Sequence, residues 1–318
     1  MAITYIGTKT GPDILGRRRL CSVPLALDNS YPSGGYSIVS GSLKGNGAGN
    51  RVISGVTLVG GVPAAMGYLY FWDTTNKTLR VARPADFGTK TYNVSNVKGA
   101  TNAAGTEGNA DQNAAPTNSQ LLLAETSFTA LAGTMTPTTQ PDIPRNVTIT
   151  IRNNSGGSLN LFEGVTTFLV TGTDKNGLAL TESITLTSTS GNKAVANTKY
   201  RYVQGAKAFR TITSVAITNA PAGGLLGSLG VGSRLGLPTP LFTPAVADVT
   251  SITVGAAAQT ISGTVLSAGG VDTANNTVNV GTIADAAAVA ITYQSNGEVA
   301  AGTDLSAVTN VHLHFYVL

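Results

Sequence analysis

The amino-acid sequence predicts an all-β protein, assembled as multi-module β-sandwich or β-barrel-like domains. Apolar and polar residues alternate over many short runs, the period of a strand with one buried face. Glycine supplies 38 of the 318 residues, and Thr, Asn and Ala are abundant, a composition that suits short strands and turns. No long stretch carries helical periodicity. The length allows roughly two domains with a sizeable core. Only 11% of residues are charged and the formal net charge is +4, far from the dense basic stripes of a dedicated nucleic-acid binder, so no direct nucleic-acid partner is expected. Low charge density points instead to a surface covered in large part by other protein. Cys21 is the one cysteine, which excludes an intramolecular disulfide and Cys-rich zinc sites. The start, MAITYIGTKTG, lacks the apolar segment of a secretion signal, and no run approaches a membrane-spanning length; neither export by a signal peptide nor a membrane partner is expected.

In chain order, residues 1–40 open with short strand-like pieces around the one basic run, Arg17, Arg18 and Arg19, which reads either as a solvated turn or as a docking element for an acidic surface. Tyr31 to Gly35 (YPSGG) is turn chemistry. Gly45, Gly47 and Gly49 form a loop without the following helix that phosphate binding requires. From Arg51 the chain is strongly β. In YLYFWD, Tyr68, Tyr70 and Trp72 share one face, Leu69 and Phe71 the other; a strand buried on both sides is favoured over a stacking platform for bases or sugars. Asp73 to Lys77 (DTTNK) reads as a hairpin turn, since it lacks the glycine and terminal glutamate of a calcium loop. Residues 99–120 hold almost no large apolar side chain and are expected to be a linker or surface arm.

The stretch Pro144 to Leu186 organises the middle of the chain. Val147, Ile149 and Ile151 alternate with threonines as a strand with one buried face. The runs around Phe168 and Ile184 should pair as a hairpin. With Lys175, Asn176 and Gly177 as a three-residue loop and Gly177 left-handed, Phe168 falls opposite Ile184 and Val170 opposite Glu182. That register puts Glu182 on the apolar side, where it needs a partner or an edge position. Residues 241–296 supply further short strands spaced by Gly, Asn and Asp. At the end, Val311, Leu313, Phe315 and Val317 share one face and His312, His314 and Tyr316 the other. A strand with a polar face explains the two histidines better than a metal site, and an apolar terminal strand must be received by an earlier sheet.

Common catalytic constellations are missing: there is no nucleophile elbow, no His-Glu-x-x-His and no Walker loop. Paired carboxylates of the glycosidase kind remain open through Asp142, Glu163, Asp174 and Glu182, although carboxylates in the turns of a Thr-rich sheet are ordinary. No catalytic residue, cofactor or metal is therefore assigned, and the chain is not expected to be an enzyme.

Two sets of segments carry a resemblance. PDIPRNVTIT, VTGTDKNGLALTESITL, GAKAFRTITSVAI and VGVGSRLGLP together resemble an all-β module recurrent in structural proteins of tailed bacteriophages. DNSYPSGGYSI and FWDTTNKTLRV near the start, with EVAAGTDLSAVTNVHLHFYVL at the end, resemble small phage capsid decoration, or cement, proteins, in which the corresponding turn, hairpin and terminal strand belong to one compact chain. The resemblance implies a discontinuous N/C-terminal domain, 1–98 plus 298–318, proximal to the capsid. It is followed by a linker or arm, 99–123, an inserted β-sandwich module, 124–240, and a small β extension, 241–297. It further implies a virion structural protein on the outer surface of the head, binding the major capsid protein across subunits; the avidity gained by engaging several subunits at once favours a symmetric homo-oligomer such as a trimer. The expected capsid contacts are Arg17, Arg18 and Arg19 with Tyr31, Pro32, Gly34 and Gly35. The alternatives are a tail or head-fibre protein binding host glycans through Tyr200, Tyr202 and Trp72, and a carboxylate-dependent glycan hydrolase.

Overall fold

The computed structural model describes residues 4–5, 10–15, 18–32, 34–38, 53–60, 67–100, 110–112, 118, 120–128, 133–153, 165–187, 200–218, 225–309 and 311–317. Arg17, the glycine loop at Gly45 to Gly49, Glu163 and most of 99–120 lie outside them. The described structure is all-β: antiparallel sheets, with a single 3₁₀ turn at Val246–Asp248. Among the described residues no helix is long and apolar enough to cross a membrane. The chain divides into two compact units, Met1–Lys90 with Ser295–Leu318, and Thr91–Gln294.

The first unit is discontinuous and is built around the last strand. Val311–Val317 is inserted between Arg18–Ala26 and Ile53–Gly60, antiparallel to both, so that Phe315 lies opposite Cys21 on one side and Val56 on the other. Thr4–Tyr5 and Thr10–Leu15 complete the sheet through Arg18–Ala26. The alternation read from sequence decides the facing: Val311, Leu313 and Phe315 are fully buried and His312 is exposed. Leu69–Asp73 pairs with the start of Thr78–Val97, which also takes Tyr36–Ser37. Leu25, Leu79, Val81, Leu305 and Phe315 form one core. Tyr70 is buried in it, Tyr68 and Trp72 pack against it, and the Trp72 Nε1 donates to the Ile53 carbonyl at 2.8 Å. The aromatic strand is not buried on both sides, however. Phe71 is 39% exposed, because the sheet closes over one face of that strand only.

The second unit has two cores. In the first, Gly133–Met135, Thr211–Thr218, Val165–Thr173 and Ala179–Thr187 form a four-stranded sheet. Its inward residues Phe168, Val170, Ile184 and Val215 share a core with Val147, Ile149 and Ile151 of Arg145–Asn153, which belongs to a second sheet beside Leu225–Gly236 and Tyr200–Gln204. The hairpin has the register read from sequence: Phe168 is opposite Ile184, Val170 opposite Glu182, and Gly177 has φ 83°. Asp174 and Leu178 close the three-residue loop, and the Asp174 carboxylate accepts from the Asn176 and Leu178 amides. The second core gathers Leu235, Val249, Ile252, Val278, Ile291 and Tyr293. Leu225–Gly236 serves both, because its far end, Arg234 to Gly236, pairs with Thr277–Asn279. The stretch expected as a linker is anchored at its ends. Ala100 is buried and bridged to Ile283, Asn118 Nδ2 donates to the Gly99 carbonyl at 2.8 Å, and Leu122 and Leu123 are core residues. Ala110–Gln112 pairs along Tyr200–Gln204.

Phe315 tests the dependence of the first unit on its last strand. Phe315→Ala should cost about 3–5 kcal/mol, the range for emptying a buried aromatic site. Hydrogen exchange should show amides of Arg18–Ala26 and Ile53–Gly60 losing protection while Val147 to Ile151 keep theirs.

Candidate functional site

The three segments that carry the decoration-protein resemblance meet in the first unit. The chain around Asp28 to Tyr31 runs beside Gly302 to Val308: Tyr31 N–H donates to the Thr303 carbonyl at 2.9 Å, Gly302 N–H to the Tyr31 carbonyl at 2.8 Å, and Leu305 N–H to the Asp28 carbonyl at 3.0 Å. The turn is joined to the hairpin by Thr78, whose hydroxyl donates to the Gly34 carbonyl at 2.7 Å. Asp73 shapes that hairpin. Its carboxylate accepts from the Thr75 and Asn76 amides, both at 2.9 Å, and these bonds, the Asn76 amide first, hold it below the usual carboxylate range despite some desolvation.

A chain of polar contacts ties the three together. Tyr31 hydroxyl donates to Glu298 Oε1 at 2.9 Å and accepts from Val81 N–H at 3.2 Å. Glu298 Oε2 lies 3.2 Å from Arg80 Nη1, and Arg80 Nη2 lies 2.6 Å from Asp73 Oδ2. Burial first, then the Glu298 charge, pushes the Tyr31 phenol far above its ordinary value, so it stays a donor at any physiological pH. Tyr36 crosses Tyr31 edge to face, ring centroids 5.4 Å apart, and donates to Asp28 Oδ1 at 3.0 Å. Glu298, Arg80 and Asp28 were not singled out by sequence reasoning. Only the Asx turn of Asp28 on Ser30 N–H is a local signal; the rest is long-range.

The expected contact residues separate. Tyr31 is 1% exposed and is a core residue, a correction to its place on a contact surface; its ring is needed inside and its hydroxyl is engaged. Gly35 is also buried, with φ 94°, and a β-carbon there would lie 2.7 Å from the Leu79 carbonyl oxygen. Pro32 and Gly34 form the accessible rim of the turn, and nothing lies within 4 Å of a β-carbon built on Gly34. Arg18 and Arg19 start the strand Arg18–Ala26, with Arg19 opposite Ile14 and Val317; Arg17 lies outside the described residues. Among the described residues, no group of three or more His, Cys, Asp and Glu comes together as a metal site.

In the second unit, Asp142, Asp174 and Glu182, the described carboxylates among those considered for glycoside chemistry, brace backbone. Asp142 sits 3.2 Å from Arg145 Nη1 and accepts from Lys98 N–H at 2.8 Å. Arg145 is completely buried; its Nε donates to the Gly232 carbonyl at 2.8 Å and its Nη1 to the Lys98 carbonyl at 2.9 Å. Burial pulls this guanidinium down and the Asp142 charge opposes it. Glu182 lies on Ala179–Thr187, at the edge of its sheet, and accepts from the Ala206 amide at 2.6 Å and the Lys207 amide at 3.3 Å. The partner and the edge position that its register demands are thus both supplied. Trp72, one of the aromatics considered for glycan stacking, packs on the core of its own unit.

Two outcomes follow. Tyr31→Phe removes the acceptor for a buried Val81 N–H and the donor for Glu298, and should lower unfolding free energy by about 1–3 kcal/mol at unchanged urea m-value. Burial raises the Glu182 carboxyl above its ordinary value, with the Ala206 and Lys207 amides opposing. The native state therefore holds that proton more tightly than the unfolded chain. The contribution to stability is largest below the unfolded carboxylate range and declines as pH rises toward the native value. Subtracting the pH–stability curve of Glu182→Gln from that of wild type should leave this decline, and a flat difference would refute it.

No family model and no curated protein matches this chain. Among solved structures, 94% of the chain aligns with 32% of the chain in the crystal structure of dimeric latent PorU from Porphyromonas gingivalis, at 9% sequence identity and a TM-score of 0.18. The chain therefore spans about a third of that protein, and a likeness at this level carries no argument about fold or function.

Proposed function

We propose that the chain is a structural protein of a tailed-phage virion and, within that class, a capsid decoration protein bound to the outer surface of the head. The observation that carries this reading is the convergence of the SYPSGG turn, the DTTNK hairpin and the GTDLSAV return in one unit, joined by the Tyr31–Glu298–Arg80–Asp73 contacts. These are the three motifs on which the resemblance rests, and their meeting supports treating them as one inherited module. Such a protein acts by binding, without a reaction. The engagement of Asp142, Asp174 and Glu182 by backbone amides supports that reading over glycan hydrolysis.

Its partner is the major capsid protein. Contacts spanning neighbouring subunits exist only on the assembled shell, so binding stabilises the shell over free subunits by mass action. An interface of about 1,200–2,000 Å² suffices for stable attachment, and a homo-oligomer such as a trimer engaging several subunits gains further through avidity.

Co-sedimentation with undecorated heads and with unassembled capsid protein tests this. Binding to heads alone, accompanied by a higher melting temperature of the heads, is the expected result. Equal binding to both forms, or recovery of the protein from tails together with glycan-array binding, would defeat it in favour of a tail or head-fibre role.

A further inference from the structure

The sheet that holds Arg145–Asn153 has one apolar face, which enters the core through Val147, Ile149, Ile151, Val203, Leu229 and Val231. Its other face is polar and just as closed. Thr148, Thr150, Gln204 and Ser228 alternate with those core residues and so point the opposite way, and none is more than 3% exposed. The register makes them neighbours. Thr148 lies opposite Gln204 on one flank and Gly230 on the other, and Thr150 lies opposite Ser228.

Another buried amide on this face is satisfied by the protein itself. Asn146 lies over Gly232, so close that a β-carbon there would be 2.3 Å from its Oδ1, and it donates to the Gly205 carbonyl at 2.8 Å and accepts the Arg234 amide at 2.9 Å. Gln204 has no such arrangement. Among the described residues, neither its Nε2 nor its Oε1 has a hydrogen-bond partner, and the buried Thr150 hydroxyl has none either. Thr150 is the diagonal neighbour of Gln204, a spacing of roughly 7–8 Å between strands, and Gly230 puts no side chain beside Thr148.

A carboxamide and a hydroxyl buried without partners are strongly disfavoured, and internal water making about three hydrogen bonds to such groups is how folded proteins resolve them. The residues select the ligand. The carboxamide donates and accepts, the hydroxyls do both, and none of the residues lining the face here carries a charge that would hold an ion.

We propose that Gln204 and Thr150, flanked by Thr148 and Ser228, form an internal hydration site of the second unit, in which bound water bridges the Gln204 carboxamide to the Thr150 hydroxyl. The site belongs to the sheet and is independent of the reading of the chain as a head-binding protein.

Two measurements on the full chain test this. A crystal structure of the wild type at a resolution that orders solvent should show water within about 2.7–3.2 Å of both Gln204 and Thr150. Thermal melting of Gln204→Leu, Thr150→Val and the double variant gives the second reading. Each single change is expected to lower the melting temperature by about 2–4 °C, and the double variant to melt no lower than the worse single one, because all three lose the same bridge. Thr150→Ser keeps the hydroxyl and should melt as wild type does. Should a variant fail to fold, the wild-type density decides alone. Additive losses in the double variant, or density showing Gln204 bonded directly to protein, would overturn the proposal. Density for a polyol at these atoms overturns water as the ligand in favour of a site for small neutral alcohols.

Discussion

The first unit depends on capturing Val311–Val317 between two strands from the opposite end of the chain. Three of its side chains are wholly buried, and it pairs along both edges, so without it Arg18–Ala26 and Ile53–Gly60 have no common partner. Among the described strand pairings, the one with Arg18–Ala26 has the largest sequence separation. It cannot form until the intervening residues are compact or the closure entropy of a very long loop is met. The two sheets of the second unit that hold Arg145–Asn153 and Val165–Thr173 are made from segments internal to Thr91–Gln294 and have no such requirement, and their folding shortens the effective loop that the first unit must close.

Within the second unit the buried polar groups act as a register. Asn146 donates from Nδ2 to the Gly205 carbonyl at 2.8 Å and accepts the Arg234 amide at 2.9 Å, while the neighbouring Arg145 reaches Gly232 and Lys98. Side chains of consecutive residues thus bind backbone on both sides of their strand. A slip by one residue would leave an amide and a guanidinium buried without partners, a penalty of several kcal/mol that an apolar core alone would not impose. Low charge density is therefore compatible with a specific fold, because a few charges are placed where mispairing is costly.

What could be read from sequence followed from local geometry. Gly177 admits the left-handed backbone that a three-residue hairpin loop needs, and the alternation around it leaves one sensible register, from which the need to satisfy Glu182 follows. The terminal strand was legible for the same reason, as alternation named its buried face and an apolar strand left unpaired would expose an aggregating edge. The rest depends on contacts far apart in sequence. Nothing near Arg145 distinguishes a buried arginine from a surface one, since its acceptors are at Gly232 and Lys98. Tyr31 sits in a turn sequence and read as accessible, but its hydroxyl is held by Glu298 across the unit. In YLYFWD the two faces were separable, yet only the packing of the core says that Phe71 is on the open one.

The two-sided pairing of Val311–Val317 also sets how the first unit bears mechanical load. Tension applied along the chain at its final strand pulls parallel to the ladders on both flanks. The hydrogen bonds to Arg18–Ala26 and to Ile53–Gly60 are therefore strained together in shear, not opened one after another as in a peeled edge strand. A sheet that ends on an edge yields bond by bond; this one yields only when both rows fail at once.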